Sequence, residues 1–257
     1  ARIHKAVRDN GAKIGLVGPA CDLNYEFDHL GKGAEDLDKL MKSRSGFAKI
    51  MKEAKNPVVI LGSGAVQRKD GAAMQALAMK VAKKFEASYN FLHLTAGRVG
   101  ALTLGFVKNN TPLSLKDKDF IYLLDADSEH LSTSMNKKAF VVYQGHHGDV
   151  SAHIADVILP GCAYTEKDGY YMNTEGRLQM ARKAVSAPGD AQDDWKIIAL
   201  LAKECGHDLG YKSIFDVRTD MTGLPQIGDR LVVELSLPTV KTAPAKAKFK
   251  LPLANFY

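Results

Sequence analysis

Residues 139–161 read AFVVYQGHHGDVSAHIADVILPG. Two short apolar runs, Ala139–Tyr143 and Asp156–Leu159, lie within 21 residues and end at polar or Pro-Gly positions. Runs this short, β-branched and apolar throughout are how strands of a parallel sheet read when both faces are buried. Four more stretches share the pattern: Lys13–Gly18 (KIGLVG), Val58–Leu61 (VVIL), Asn90–Leu94 and Phe120–Leu124 (FIYLL).

Helical stripes lie between and after these runs. Phe47, Ile50, Met51 and Ala54 recur at i, i+3, i+4, i+7, and Ser45 is read as the N-cap. Met74, Leu77, Ala78, Val81 and Phe85 form a second stripe, with Asp70 near its start. Trp195, Ile198, Ala199 and Ala202 form a third. Asp193 and Asp194 sit in its first turn and Gly206 just past its end, which suits the helix dipole and a left-handed cap. Alternating strands and helices predict an α/β fold: an open, mostly parallel, doubly wound sheet with helices on both faces. The pattern weakens after about Tyr211. The division expected is therefore an α/β region over 1–211 and a C-terminal extension over 212–257, with one further strand at Leu231–Leu235 and an extended arm from Pro238 to Phe249.

Composition narrows the chemistry. The net charge is +6, but Lys241, Lys246, Lys248 and Lys250 lie in a tail without acids, leaving +2 for the residues before Leu237. The basic excess is a tail property and does not describe a nucleic-acid-binding surface. Cys21, Cys162 and Cys205 are widely spaced, too few for an all-thiolate zinc or iron–sulfur site, and read as unpaired thiols in a reducing compartment. No uncharged apolar run approaches the ~18 residues of a membrane span. The first residue is Ala1, read as the product of processing or as part of something longer.

Several motifs invite chemistry. Leu61-Gly62-Ser63-Gly64-Ala65 follows a strand and precedes a helix, as phosphate loops do, but Gln67 stands where the third glycine of a dinucleotide fingerprint belongs; a structural βα turn is expected. Asp125, Asp127 and Glu129 start like a calcium loop, yet His130 and Asn136 occupy its glycine and terminal glutamate places, so a polar loop is expected. Gly145-His146-His147-Gly148-Asp149, with His153 nearby, is expected to be a hydrogen-bonded turn rather than a metal site, its adjacent histidines pointing apart. Ala163–Arg177 is polar and glycine-punctuated, follows a strand end, and carries Glu166, Lys167, Asn173, Glu175 and Arg177. A loop so placed is a ligand site or an ordered interface, and its residue spacing does not choose between them.

Tyr143–Val150 (YQGHHGDV), Ala155–Gly161 (ADVILPG), Tyr164–Arg177 (YTEKDGYYMNTEGR) and Asp193–Ile197 (DDWKI) closely resemble the C-terminal region of the large (75 kDa) iron–sulfur subunit of respiratory complex I. Asp22–Gly31 and Pro57–Ala73 agree with that family, and the resemblance covers most of residues 1–205; Asn255-Phe256-Tyr257 is a thin match near the end. It implies a molybdopterin-oxidoreductase-like fold without a molybdenum cofactor. It implies that Asp156, Glu166, Asn173, Glu175 and Arg177, with Pro160, Gly169 and Gly176, are the relic of a pterin cleft that now holds loops together, with no catalytic or metal-binding residue in this chain. Iron–sulfur clusters are expected in the family's cysteine-rich N-terminal region or on a partner chain. The role implied is a cluster-free structural and assembly portion of the hydrophilic arm of NADH:ubiquinone oxidoreductase. Its partners would be other hydrophilic-arm subunits, without nucleic acid or a direct membrane span. Its place would be the matrix side of the mitochondrial inner membrane. Whether these residues belong to one longer polypeptide or to a separately encoded part of a split subunit stays open. The competing reading is a nucleotide- or pterin-binding oxidoreductase module in the crevice near Gly62–Gly64 and Glu166–Arg177.

Overall fold

A computed structural model of the chain describes residues 2–106, 114–127, 129–148, 150–231 and 243–245. All but Leu231 of the strand expected over Leu231–Leu235, most of the arm from Pro238 to Phe249, Asp149 and the final Asn255-Phe256-Tyr257 lie outside the described residues. Two compact units form, Ala1–Thr95 with Val232–Tyr257, and Ala96–Leu231.

The first unit runs α1 (Arg2–Asn10), β1 (Gly15–Val17), β2 (Asp28–Gly31), α2 (Ala34–Lys42), α3 (Phe47–Glu53), β3 (Val58–Gly62), α4 (Ser63–Val66), α5 (Gly71–Lys84) and β4 (Ser88–Leu92). β1 pairs in parallel with β2, and β3 in parallel with β4, Val58 opposite Ser88 and Leu61 opposite Phe91. α5 is the crossover between β3 and β4. It is apolar around most of its girth, burying Ala73, Met74, Leu77, Ala78, Val81 and Ala82, as a helix enclosed by its neighbours must. Val81 and Phe85 pack with Ala48 and Met51 of the α3 stripe, and Val59 of β3 leans on that cluster. Asp70 occupies the N-cap position of α5, but its carboxylate does not cap the helix. It pairs with Arg68 at 2.7 Å and accepts the Ala245 N–H at 2.8 Å. The α3 cap differs from expectation: Gly46, with φ +58°, takes the N-cap place, and Ser45 is held in a turn by Ser43.

The second unit runs α6 (Arg98–Thr103), β5 (Phe120–Leu124), α7 (Glu129–Ser134), β6 (Phe140–Gly145), α8 (Val150–His153), β7 (Val157–Pro160), β8 (Gly169–Met172), β9 (Leu178–Ala181), α9 (Asp194–Glu204) and α10 (Ile214–Asp220). β5, β6 and β7 form one parallel ladder in that order. Ile121, Leu123, Val141 and Tyr143 share one face and pack under Leu131, Met135, Ala152 and Ala155 from the two crossovers. α9 begins at the paired aspartates, and Gly206 beyond it has φ +82°. The residues from 212 to 231 close this unit. α10 starts at a capping box of Ser213 and Asp216, and the Arg218 guanidinium lies 4.4 Å from the Tyr170 ring of β8.

The architecture is α/β with mostly parallel sheets. Two features depart from the sequence reading. The strands are not buried on both faces: Val58 and Ile60 of β3, Phe120 and Leu124 of β5, and Ile158 of β7 are exposed. And the polar stretch Ala163–Arg177 is not one loop, because it contains β8, which forms an antiparallel hairpin with the β9 that follows it, Gly169 opposite Ala181 and Met172 opposite Leu178.

Candidate functional site

In a parallel sheet the carboxyl ends of the strands are where ligands are met. Here those ends are Leu124, Gly145 and Pro160, and the residues beyond them converge on Gln144. This glutamine follows four apolar residues of β6 and is completely buried. Its Nε2 donates to Asp194 Oδ1 at 2.8 Å, its Oε1 accepts the Tyr122 hydroxyl, and the Lys167 ammonium pairs with Asp194 Oδ2. Four segments thus meet in one polar chain: β5, β6, the turn after β7 and the first turn of α9. Burial, and then the Asp194 charge, push the Tyr122 hydroxyl above its ordinary pKa, so it stays a neutral donor at physiological pH.

Gly161 is the hinge of this arrangement. Its N–H donates to Gly145 O at 2.9 Å, and a Cβ there would lie 3.0 Å from Asp194 Oδ1. The chain passes this close to the aspartate because it carries no side chain at that point. Cys162 follows and is 3% exposed. Burial raises its thiol pKa, and Asp193 and Glu166 raise it further, against the opposing pull of Lys167. A buried thiol held protonated is a poor nucleophile.

His146 and Asp125 stand at the outer end of the same edge. His146 Nδ1 is 2.9 Å from Asp125 Oδ1, and Asp125 has φ +47°. The two histidines do not point apart as expected; their rings meet edge to face at 4.5 Å. The acids after β5 have separate tasks. Asp125 holds His146, while Asp127 Oδ1 accepts the Ser151 N–H at 2.8 Å in α8. Among the described residues no group of three or more His, Cys, Asp or Glu side chains could hold a metal ion.

The five relic residues do not gather in one cleft. Asp156 sits at the amino end of the ladder, away from the crevice side, where its Oδ2 accepts the Val141 N–H at 2.7 Å. Glu166 is at the carboxyl end and accepts the Ala163 N–H at 2.9 Å, closing the turn after β7. Asn173, Glu175 and Arg177 build the tip of the β8–β9 hairpin. Asn173 Oδ1 accepts the N–H groups of Glu175 and Arg177 at 2.9 and 3.0 Å, Glu175 lies 3.4 Å from Arg230, and Arg177 Nη1 donates to Gly228 O. Gly176, with φ +77°, lies against the Leu231 carbonyl, and its own carbonyl accepts the Leu231 N–H at 2.9 Å. A pterin dinucleotide requires donors converging on its phosphates and ring edges. The five relic residues, divided between the two ends of the ladder and the hairpin tip, do not converge on such a group.

The Leu61–Ala65 turn leads from β3 into α4. Ser63–Val66 makes a single helical turn, and Gly71 at the start of α5 is packed so tightly on the Val66 carbonyl that a side chain there would overlap it.

Sequence reasoning missed the Gln144 network. Its only trace is a glutamine inside an otherwise apolar buried strand.

The chain is similar in sequence to known proteins. The family model for molybdopterin oxidoreductases matches residues 1–204. The chain is 39% identical to "NADH dehydrogenase [ubiquinone] iron-sulfur protein 1, mitochondrial" of Solanum tuberosum, over 100% of this chain and 36% of that protein. It is 43% identical to "NADH-ubiquinone oxidoreductase 78 kDa subunit, mitochondrial" of Candida albicans, over 100% of this chain and 38% of that protein. It is 37% identical to "NADH-ubiquinone oxidoreductase 75 kDa subunit" of Reclinomonas americana, over 100% of this chain and 39% of that protein. These residues therefore span well under half the length of such relatives, and with the parallel ladders and the matched region they show that the chain belongs to the molybdopterin oxidoreductase family.

Proposed function

We propose that this chain is the cluster-free structural and assembly portion of the large iron–sulfur subunit of NADH:ubiquinone oxidoreductase. It takes part in that enzyme without carrying an electron itself. Its partners are other subunits of the hydrophilic arm, including the cluster-bearing part of the large subunit, and its place is the matrix side of the mitochondrial inner membrane. No described helix is long and apolar enough to cross a membrane, in keeping with a peripheral position.

The observation that carries this reading is the Gln144 network. The polar groups at the carboxyl edge, where a ligand would be met, bond to one another instead. Tyr122, Gln144, Asp194 and Lys167 form a closed set, and Glu166, Asn173 and Arg177 hold backbone. Such a network fixes loop positions and leaves its own four side chains engaged with one another.

The test is purification from the native source through an affinity tag on this chain. The chain should co-migrate with NADH:ubiquinone oxidoreductase activity on a native gel. Separated from the complex, it should contain no stoichiometric iron or molybdenum by elemental analysis. Iron–sulfur absorbance in the isolated chain would overturn the proposal. A rise of several degrees in its melting midpoint with saturating NADH, nucleotide or pterin would favour a binding module instead.

A further inference from the structure

The open end of the β8–β9 hairpin, the first turn of α9 and the residues leading into α10 enclose a cavity of about 410 Å³. It is separate from the Gln144 network. Lys167 and Asp194 belong to that network, whereas their neighbours Asp168 and Asp193 line the cavity. Lys183, Lys196 and Lys212 line it as well, which makes it basic. Its two acids are already engaged. Asp168 Oδ1 accepts the Lys183 N–H at 2.7 Å, fastening the two ends of the hairpin, and Asp193 Oδ2 lies 3.5 Å from the Lys196 ammonium. Among the described residues the ammonium groups of Lys183 and Lys212 form no ion pair. Two positive charges are therefore left over at one opening. Apolar surface accompanies them. Trp195, the chain's single tryptophan, and Ile214 line the cavity. Phe215, next to Ile214, is 71% exposed, and Val185, two residues beyond Lys183, is 55% exposed.

We propose that this cavity seats an acidic polypeptide segment from outside these 257 residues, its carboxylates on Lys183 and Lys212 and an apolar side chain against Trp195 and Ile214. Charge complementarity selects the sign of the occupant. The rest of the lining selects its kind. A small anion would meet the lysines, but it would be repelled by Asp168 and Asp193 and would leave Phe215 and Val185 in water. A segment that sets acids beside apolar residues answers both features, and its backbone N–H groups suit the free lone pairs of the two aspartates. A tryptophan beside a lysine rim is also the composition in which protein–protein contacts concentrate their binding energy. The inference rests on the proposed assembly role, and it adds one place where that assembly is made and the chemistry of what is held there.

The test is zero-length carbodiimide crosslinking of the intact complex, isolated through the tagged chain and read by mass spectrometry. This reagent joins an ammonium to a carboxylate only where the two touch. Lys183 and Lys212 should both be joined to acids of one segment outside residues 1–257. Acetylation of Lys183, Lys196 and Lys212 should be about tenfold slower in the complex than in the isolated chain. In the double variant Lys183→Glu, Lys212→Glu, the reversed charges should release the segment and return Lys196 to about its reactivity in the isolated chain, a change of roughly tenfold. Lys183→Arg, Lys212→Arg should keep Lys196 protected. Crosslinks confined to residues 1–257, crosslinks of the two lysines to unrelated segments, or equal acetylation in complex and isolated chain would overturn the inference. So would protection that survives in the isolated chain and is lost on dialysis, the mark of a small anion. Co-migration of the unsubstituted tagged chain with the complex is scored independently. Its failure would remove the functional reading, whereas reactive lysines within a co-migrating chain remove only this inference.

Discussion

Asp194 is the residue on which the carboxyl edge turns, and Asp194→Ala should expose this most directly. The substitution takes the shorter acceptor from the fully buried Gln144 Nε2 and leaves it only the Asp194 carbonyl at 3.5 Å. An unsatisfied buried group of this kind costs about 1–3 kcal/mol. The Lys167 ammonium loses its partner too. Both side chains of that pair are about a quarter exposed or less, 20% and 26%, so screening holds this contribution to roughly 0–1 kcal/mol. Asp194 also lies in the first turn of α9, where a negative charge contributes about 0.3–1 kcal/mol through the helix dipole. Together these give a loss of about 2–4 kcal/mol. Urea unfolding at pH 7, followed by circular dichroism, should show the midpoint fall with the slope unchanged. Asp194→Asn keeps an oxygen for Gln144 but discards the charge, so its cost should be roughly half or less. A double-mutant cycle with Tyr122→Phe should give a non-zero coupling, because both residues bond the same glutamine. If Asp194→Ala stays within about 0.5 kcal/mol of the parent, the closed network is not what holds this edge.

Gly176→Ala should destabilise by about 2–4 kcal/mol, combining a left-handed backbone with overlap on the Leu231 carbonyl; an unchanged urea midpoint would contradict the hairpin-tip geometry. The Asp70 carboxyl is held at about 2 against an ordinary 3.8, first by Arg68. Its folded pKa lies below its unfolded one, so the stabilisation is complete above about pH 4 and drains away as pH falls through 2. After solvent screening, Asp70→Asn should cost about 1 kcal/mol at pH 7, with the gap from the parent closing between pH 4 and pH 2 in parallel urea titrations; a gap independent of pH would refute the pairing. Iodoacetamide at pH 8 should alkylate the exposed Cys205 at least about tenfold faster than Cys162, whose thiol is buried and raised in pKa. Equal rates by peptide mass spectrometry would show that the turn after β7 opens freely.

The strands and helices that were legible share a cause. β3, β5, β6 and β7 are apolar runs closed by Gly, Pro or Asp, and α5 and α9 carry clear apolar stripes with acids at their starts. β8 and β9 were not read, because Gly169–Met172 and Leu178–Ala181 mix polar and apolar residues over four positions each. Their hairpin was signalled only by Asn173-Thr174-Glu175-Gly176, whose asparagine and glycine suit a turn with a positive φ. β2 was passed over for the same shortness, Asp28–Gly31 offering one large apolar residue. Of the candidate site, the motif positions were visible but their grouping was not. Asp156 and Glu166 lie ten residues apart in sequence and at opposite ends of the ladder.

The sequence by itself determined the class of fold, the parallel character of the ladders and the family, because periodicity and local motif identity are properties of neighbours along the chain. Only the tertiary structure decided what the polar groups do. Gln144, Tyr122, Lys167 and Asp194 are separated by as many as 72 positions, and whether each faces a ligand or one another depends on where strand ends and helix starts meet. The same holds for Phe120 and Phe140. Both look like core residues in a linear reading, yet they are exposed on the side of the ladder opposite Ile121 and Val141.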